Sequence, residues 1–387
     1  MGVPFLDLPR QYETIRPEVE KALHEVLTTQ YFILGPQGKA LEKEVAGHLG
    51  VPEAVGVASG TDALLLGLRA LGLKPGEGVL TTSFTFFATA GAIHNAGGRP
   101  FFADIDEATF NLDPAAVRRF LEEKCAPGRD GLPVHKVTGS VLRVLLPVHL
   151  YGLCADMDAL NSVAKDHGLV VLEDACQAYG ASFKGRRAGA LGHVAGFSFF
   201  PTKNLGGGGD GGMLTTPDAA LAARLRSLRV HGSKERYVHD EIGYNSRLDE
   251  IQAALLRVKL PRVDAWNASR AQVATWYKAG LAGIPGVVPP PCPEGFTHIY
   301  HQYVIRTARR DELKEFLASK QIGSMIYYPI PLHLQTCFRF LGYRAGDLPV
   351  TEKAAREVLA LPVFAELSQS EVGQVCDAIR EFHAGRA

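Results

Sequence analysis

Seven short runs rich in branched apolar residues recur within the first 216 residues, at 54–60, 78–83, 100–105, 141–150, 169–174, 194–200 and 212–216. Several are apolar nearly throughout, which is the pattern of strands covered on both faces. Helix-period segments lie between them, at 62–71, 114–123, 156–165 and 219–228. Alternation of this kind restricts the chain to an α/β fold with a mostly parallel sheet.

The pattern changes after about Gly243. A helical stretch over 248–281 is interrupted only by Pro261, which should kink or break it. The segment 283–295 is rich in breakers, with prolines at 285 and 289–291, and reads as a linker. Beyond it, strands are expected over 300–307 and 326–328, and helices over 311–319, 352–359 and 370–382. The chain is thus expected to divide into a large α/β domain, 1–245, and a smaller α+β domain, 246–387, begun by the long helical connection. One irregularity is the polar insertion at 125–140, with Arg129, His135 and Lys136. It is read as a hairpin or loop excursion in preference to a substrate-binding element.

Charge and cysteine usage narrow the function classes. Lys+Arg and Asp+Glu are equal at 41 each, so no net field recruits nucleic acid or an anionic membrane. The basic cluster at 184–187 reads as solvated surface. No stretch approaches a membrane span, and the start, Met-Gly-Val-Pro-Phe-Leu, has neither a charged leader nor a long apolar run. Cysteines stand at 125, 154, 176, 292, 337 and 376 without C-x-x-C spacing, as scattered reduced thiols of a cytoplasmic protein. No metal site is expected, and the Asn267-Ala268-Ser269 sequon is taken as chance.

Four elements carry chemistry. The run Phe197-Ser198-Phe199-Phe200-Pro201-Thr202-Lys203 ends an apolar strand, and six glycines follow within 206–212. A lysine that must swing between partners needs such freedom, although a surface lysine in a loop explains this motif equally well. Asp174 closes the buried strand 169–174, at the strand edge where open α/β sheets bind ligands. A carboxylate there could hold the ring nitrogen of a pyridine cofactor protonated, and Gln177 could bond the ring hydroxyl; a helix cap is the plainer alternative for Asp174. Ser59-Gly60-Thr61-Asp62 joins a strand to a helix whose first amides suit a phosphate, and Ser198 could add a hydroxyl to it. Phe86 is a candidate for stacking on a ring, with core packing as the default.

With these residues in this order, the chain resembles the DegT/StrS-type nucleotide-sugar aminotransferases of the fold-type I, aspartate aminotransferase-like superfamily. The resemblance runs from Val3-Pro4-Phe5-Leu6-Asp7-Leu8 through Gly35-Pro36, the Ser59 segment and Pro147-Val148-His149-Leu150-Tyr151-Gly152. It continues through Glu173-Asp174-Ala175, the lysine segment and Gly243-Tyr244-Asn245-Ser246-Arg247-Leu248 to Tyr328-Pro329-Ile330-Pro331-Leu332-His333 and Leu361-Pro362-Val363. It implies a mostly parallel seven-stranded sheet sandwiched by helices, with a smaller α+β C-terminal domain. The cofactor implied is pyridoxal 5′-phosphate, held covalently by Lys203, with Asp174 at the ring nitrogen and Gln177 at the ring hydroxyl. Gly60, Thr61 and Ser198 would bind the phosphate. A homodimer with shared sites is implied, Asn245 reaching the phosphate of the other subunit. Gly35, His298, Tyr300, His301 and His333 are expected near substrate.

The implied reaction is transamination of a nucleotide-linked keto-sugar, UDP- or dTDP-linked, with an amino acid donor, glutamate by precedent. The runs at 298–303 and 327–333 look like members that aminate the third carbon of the sugar rather than the fourth. Cys176 and His193 depart from the common pattern without touching the essential chemistry. Related dehydratases carry histidine in place of Lys203, which makes dehydration the weaker alternative. A non-catalytic cofactor or sugar sensor is weaker too, having no need of Lys203 and Asp174 together.

Overall fold

Six of the seven apolar runs point the same way in one sheet. The computed structural model describes residues 2–128 and 130–385. The strands are β1 (Glu53–Val57), β2 (Gly78–Thr82), β3 (Arg99–Ala103), β4 (Leu142–Leu146), β5 (Val170–Asp174), β6 (Val194–Ser198) and β7 (Gly212–Thr216). Their order across the sheet is β1-β7-β6-β5-β4-β2-β3. The pairs from β6 through β5, β4 and β2 to β3 are parallel, and β7 alone is reversed, antiparallel to both β1 and β6.

Neighbouring residues of each strand feed opposite cores, which is why the runs show no polar alternation. Val171 packs under helices Pro36–Leu49, Pro114–Lys124 and Met157–Asp166, whereas Leu172 packs under Gly60–Ala70, Ala88–Asn95 and Ala219–Leu228. Aspartates 113, 156 and 218 cap three of these helices through their side chains, each satisfying first-turn amides that have no intrahelical acceptor. Because β1, β5 and β6 run in one direction, their carboxyl ends meet along a single edge.

The long helical stretch breaks where Pro261 predicts. Helix Glu250–Lys259 and helix Val263–Gly280 are joined by a 3-10 turn, Leu260–Arg262. A third core gathers Tyr277, Tyr303, Leu313, Leu359 and Ile379 around two antiparallel strands, β8 (Tyr303–Arg306) and β9 (Val358–Leu361). Helix Gln369–Ala384 opens with a reciprocal cap between Ser368 and Glu371.

Three expectations need correction. The strand expected from residue 300 begins at Tyr303, because Tyr300 has a left-handed backbone (φ 46°) that no strand accommodates. The helix expected over 352–359 spans Pro349–Glu357, and its last apolar residues instead form β9; a short apolar run fits either period. No strand forms at 326–328. The chain makes one bridge, Met325 to Ala360, and then turns toward the sheet edge. The insertion is a hairpin, Cys125–Pro127 against Pro133–His135, its His135 ring 4.7 Å from Phe101 and 6.0 Å from Phe120. Arg129 lies outside the described residues.

Candidate active site

At the carboxyl end of β1, Ser59 Oγ accepts the Asp62 N–H at 3.1 Å and starts helix Gly60–Ala70. The Gly60 and Thr61 amides then open that helix without intrahelical partners, an arrangement that attracts an anion. Gly60 is required by space. A Cβ there would stand 2.6 Å from Ser198 Cβ and 3.0 Å from Cys176 Sγ. Behind the turn, Ser246 Oγ donates to Asp62 Oδ2 at 2.7 Å and accepts the Ala58 N–H at 3.2 Å.

Asp174 ends β5 and is 5% exposed. Its Oδ2 accepts from Thr89 Oγ1 at 2.8 Å, and its Oδ1 accepts the Cys176 N–H at 3.2 Å. Thr89 also meets Thr85 Oγ1 at 3.0 Å. One residue before, the buried Glu173 accepts from His149 Nε2 at 2.9 Å and from the amides of Gly189, Leu191 and Gly192. This filled acceptor shell fixes the strand end from beneath and offsets the cost of burying a carboxylate.

Lys203 follows β6 on a tightly returned loop. Its N–H donates to the Phe200 carbonyl at 2.8 Å, and the Gly207 N–H donates to the Phe199 carbonyl at 2.7 Å. A Cβ at Gly206 would lie 2.3 Å from the Pro201 oxygen, so the glycines serve close backbone return more than mobility. Lys259 Nζ clamps the Gly206 carbonyl at 2.7 Å. Burial pulls the Lys203 pKa below its ordinary 10.5, outweighing the opposing influence of Cys176 and Asp174.

These groups share one cavity of about 700 Å³ whose wall includes Gly60, Thr61, Phe86, Asp174, Ser198 and Lys203. Gln177 and His301 line it as well. Gln177 is held by both ends of its amide: Oε1 accepts the Tyr151 N–H at 2.9 Å, and Nε2 donates to Tyr328 Oη at 2.9 Å. Phe86 is exposed into the cavity, 6.3 Å from the Tyr328 ring. Thr89 escaped the sequence reading, and Tyr328 entered it only within the run 327–333, without a role of its own. Thr89 lies three residues after Phe86, where a hydroxyl beside apolar residues was the available signal.

The remaining expected residues lie outside this wall. The Gly35 N–H donates to Glu250 Oε1 at 3.0 Å, and the same carboxylate takes the Gln37 and Gly38 amides, capping helix Pro36–Leu49 from across the fold. His298 is buried, with its ring stacked on Tyr300 at 3.9 Å and Nδ1 accepting the Tyr300 N–H; burial lowers its pKa to about 3. His333 joins Ser83 Oγ through Nδ1 at 2.7 Å and Glu352 through Nε2 at 3.3 Å. Asn245 is exposed on the bridge to Val230. Within one chain, then, Gly35, His298, Tyr300 and His333 are held by capping and packing contacts. His193 stands just before β6, its Nδ1 accepting the Val171 N–H at 3.0 Å, remote from the cavity. Cys176 departs from expectation, since it forms part of the cavity wall beside Asp174 and Lys203. Burial, then Asp174, pushes its thiol pKa well up, so it remains protonated.

An amide cradle closed to any Cβ, a buried carboxylate and a lysine of depressed pKa in one cavity fit pyridoxal phosphate. They match its phosphate, its ring nitrogen and its aldehyde carbon. The DegT/DnrJ/EryC1/StrS aminotransferase family model matches residues 13–380. A pleiotropic regulatory protein of Geobacillus stearothermophilus is 48% identical, covering 99% of each chain. The UDP-N-acetyl-3-dehydro-alpha-D-glucosamine 3-aminotransferase of Acidithiobacillus ferrooxidans is 42% identical over 98% of this chain and 97% of its own. Among solved structures, S. venezuelae DesV in complex with a ketimine intermediate superposes with a TM-score of 0.92 at 42% identity, over 99% of this chain and 98% of that one. NtdA of Bacillus subtilis with bound cofactor PMP gives 0.88 at 30% identity, over 99% and 85%.

Proposed function

The chain belongs to the DegT/DnrJ/EryC1/StrS aminotransferase family and is a pyridoxal 5′-phosphate enzyme, and we propose that it aminates the keto carbon of a nucleotide-linked sugar, with glutamate as donor. The observation that carries this reading is the meeting of Asp174 and Lys203 in one cavity with the Gly60–Thr61 amides. There the Gly60 and Thr61 amides and the Ser198 hydroxyl would hold the phosphate, with Asp174 at the ring nitrogen, Gln177 at the ring hydroxyl and Phe86 against the ring.

When bound, the cofactor supplies an electron sink for the carbon that bears the nitrogen. Lys203 would carry the cofactor and, as a free amine, serve as the base. Its depressed pKa favours the neutral amine, which takes a proton at Nζ and gives it back on the other side of the nitrogen. Thr89 and the Cys176 amide hold Asp174 against rotation, so its charge stays directed at one point. A cofactor-binding sensor would have no use for a lysine amine in this state.

In the same reading the protein is a cytoplasmic homodimer with a cofactor-binding domain of residues 1–245 and a smaller domain of residues 246–387. Six free cysteines suit a reducing compartment. No helix among the described residues is long and apolar enough to cross a membrane. Tyr31, Tyr237 and Ile242 are large exposed apolar residues outside the cavity wall, of the kind a second subunit would cover while bringing its Asn245 to the phosphate. The relative that acts on a 3-dehydro sugar supports amination at the third carbon. The test is to incubate the enzyme with glutamate and a panel of UDP- and dTDP-linked 3-keto and 4-keto sugars. Formation of 2-oxoglutarate with a 3-keto member is expected, and none across the panel refutes the reading.

A further inference from the structure

Asn204 follows Lys203 directly, and its contacts fix which way its amide faces. Nδ2 donates to Asn267 Oδ1 at 2.7 Å and to the Ile299 carbonyl at 3.2 Å, so both amide protons are committed. Asn267 is itself set, its Nδ2 donating to the Tyr179 carbonyl at 3.1 Å. The Asn204 oxygen therefore faces His301 Nδ1, at 3.2 Å. An oxygen acceptor there requires the imidazole proton on Nδ1, which leaves a lone pair on Nε2.

His301 is buried and lines the cavity alongside Lys203. Its Nε2 has no hydrogen-bond partner among the described residues. Two basic side chains lie near the ring, Lys203 and Arg270, the latter held by the carbonyls of Tyr300 and Val363. Burial above all keeps the imidazole pKa well below 6.5, so the ring remains neutral with its acceptor intact.

We propose that His301 is a positioning residue for Lys203: its Nε2 accepts a hydrogen bond from the free lysine amine and so fixes the direction of that amine's lone pair. This rests on the reading of Lys203 as the reacting amine. A neutral amine has two N–H groups and one lone pair, and committing one N–H to His301 removes most of its rotational choice. Covalent attachment of the cofactor takes that donor away. The contact is not formed in the empty cavity; it operates once an amino group has displaced the lysine from the bound cofactor, which is when the lysine carries the proton. Asn204 supports it from behind by fixing the tautomer, so the residue after the lysine sets the direction of the lysine's own lone pair.

Two variants separate positioning from packing. His301→Asn keeps a donor to Asn204 but has no acceptor where Nε2 stood, whereas His301→Gln places an amide oxygen there. In single-turnover reactions with glutamate, His301→Asn is expected to slow cofactor conversion on the order of 10²-fold with little change in KM, and His301→Gln to recover most of it. Equal rates for the two variants overturn the proposal. Histidine 15N spectra give a readout independent of turnover. The proton should lie on His301 Nδ1, and in the loaded enzyme the Nε2 resonance should move when 2-methylglutamate, which has no proton to lose, displaces Lys203. A proton on Nε2, or an Nε2 resonance indifferent to that displacement, overturns it. Borohydride labelling of the wild-type holoenzyme distinguishes the failures. Label away from Lys203 overturns both the reading of that lysine and this inference, whereas label on Lys203 with equal variant rates overturns this inference alone.

Discussion

Thr89 Oγ1 donates to Asp174 Oδ2 at 2.8 Å from the first turns of a neighbouring helix, and so fixes the one buried carboxylate of the cavity floor. Hydrogen bonds to a charged acceptor contribute about 1.5–3 kcal/mol. Thr89→Val keeps the side chain's shape and removes the donor. Cofactor titration by absorbance should show binding weakened by about tenfold or more, with the fold retained by circular dichroism.

Lys203 titrates below 10.5 because its surroundings disfavour the charge. The sign follows directly. Between the lowered folded value and 10.5, the unfolded chain binds more protons than the folded one, so stability of the cofactor-free enzyme rises with pH across that window. Thermal melts of wild type against Lys203→Met should converge toward its upper end. Lys203→Met should also abolish borohydride fixation and lower transamination by at least about 10³-fold.

Gly60 tolerates no side chain, with Ser198 Cβ 2.6 Å from the place its Cβ would occupy. Gly60→Ala must open the joint between β1 and β6 and displace the amides that face the phosphate. Affinity for pyridoxal phosphate should fall far more than affinity for pyridoxal, which lacks that group. Equal losses for the two would show that the cradle does not hold phosphate.

Glu250 accepts three amides at the start of helix Pro36–Leu49, and a Cβ at Gly35 would lie 2.6 Å from its Oε2 and 2.4 Å from the Tyr31 ring. Glu250→Ala should destabilise the protein by about 1–3 kcal/mol, read by denaturant unfolding. Gly35→Ala should lower the melting temperature without a selective change in sugar KM. A pure KM effect would return Gly35 to the substrate.

The strand–helix alternation made the large sheet legible, and the order of its chemistry-bearing residues made the cofactor legible. Both depend on local pattern: apolar runs buried on two faces, and ligands at strand ends. What could not be read depends on distant partners. Glu250 is 215 positions from Gly35, so nothing near Gly35-Pro36 announced a cap. The stack of His298 on Tyr300, whose backbone is left-handed, has no signal in the linear sequence. Cys176 reads as incidental in sequence because the carbonyls its thiol meets, those of Gly60 and Gly196, come from a distant helix start and another strand. The resemblance names His301, but its tie to Asn204, 97 positions away, is visible only in the fold.

The reversed strand β7 has one more consequence. A parallel neighbour of β6 would have required a crossover, usually helical, carrying the chain back to the far edge before it re-entered the sheet. Reversal lets the segment 199–211 leave β6 and enter β7 along one edge, so Lys203 rides on a span whose two feet are adjacent strands. Adjacent strands need far fewer residues than this span has, and the surplus is folded back on itself by the Lys203–Phe200 and Gly207–Phe199 backbone bonds. The lysine's reach is therefore set by those bonds, and a residue added or removed between them would change it.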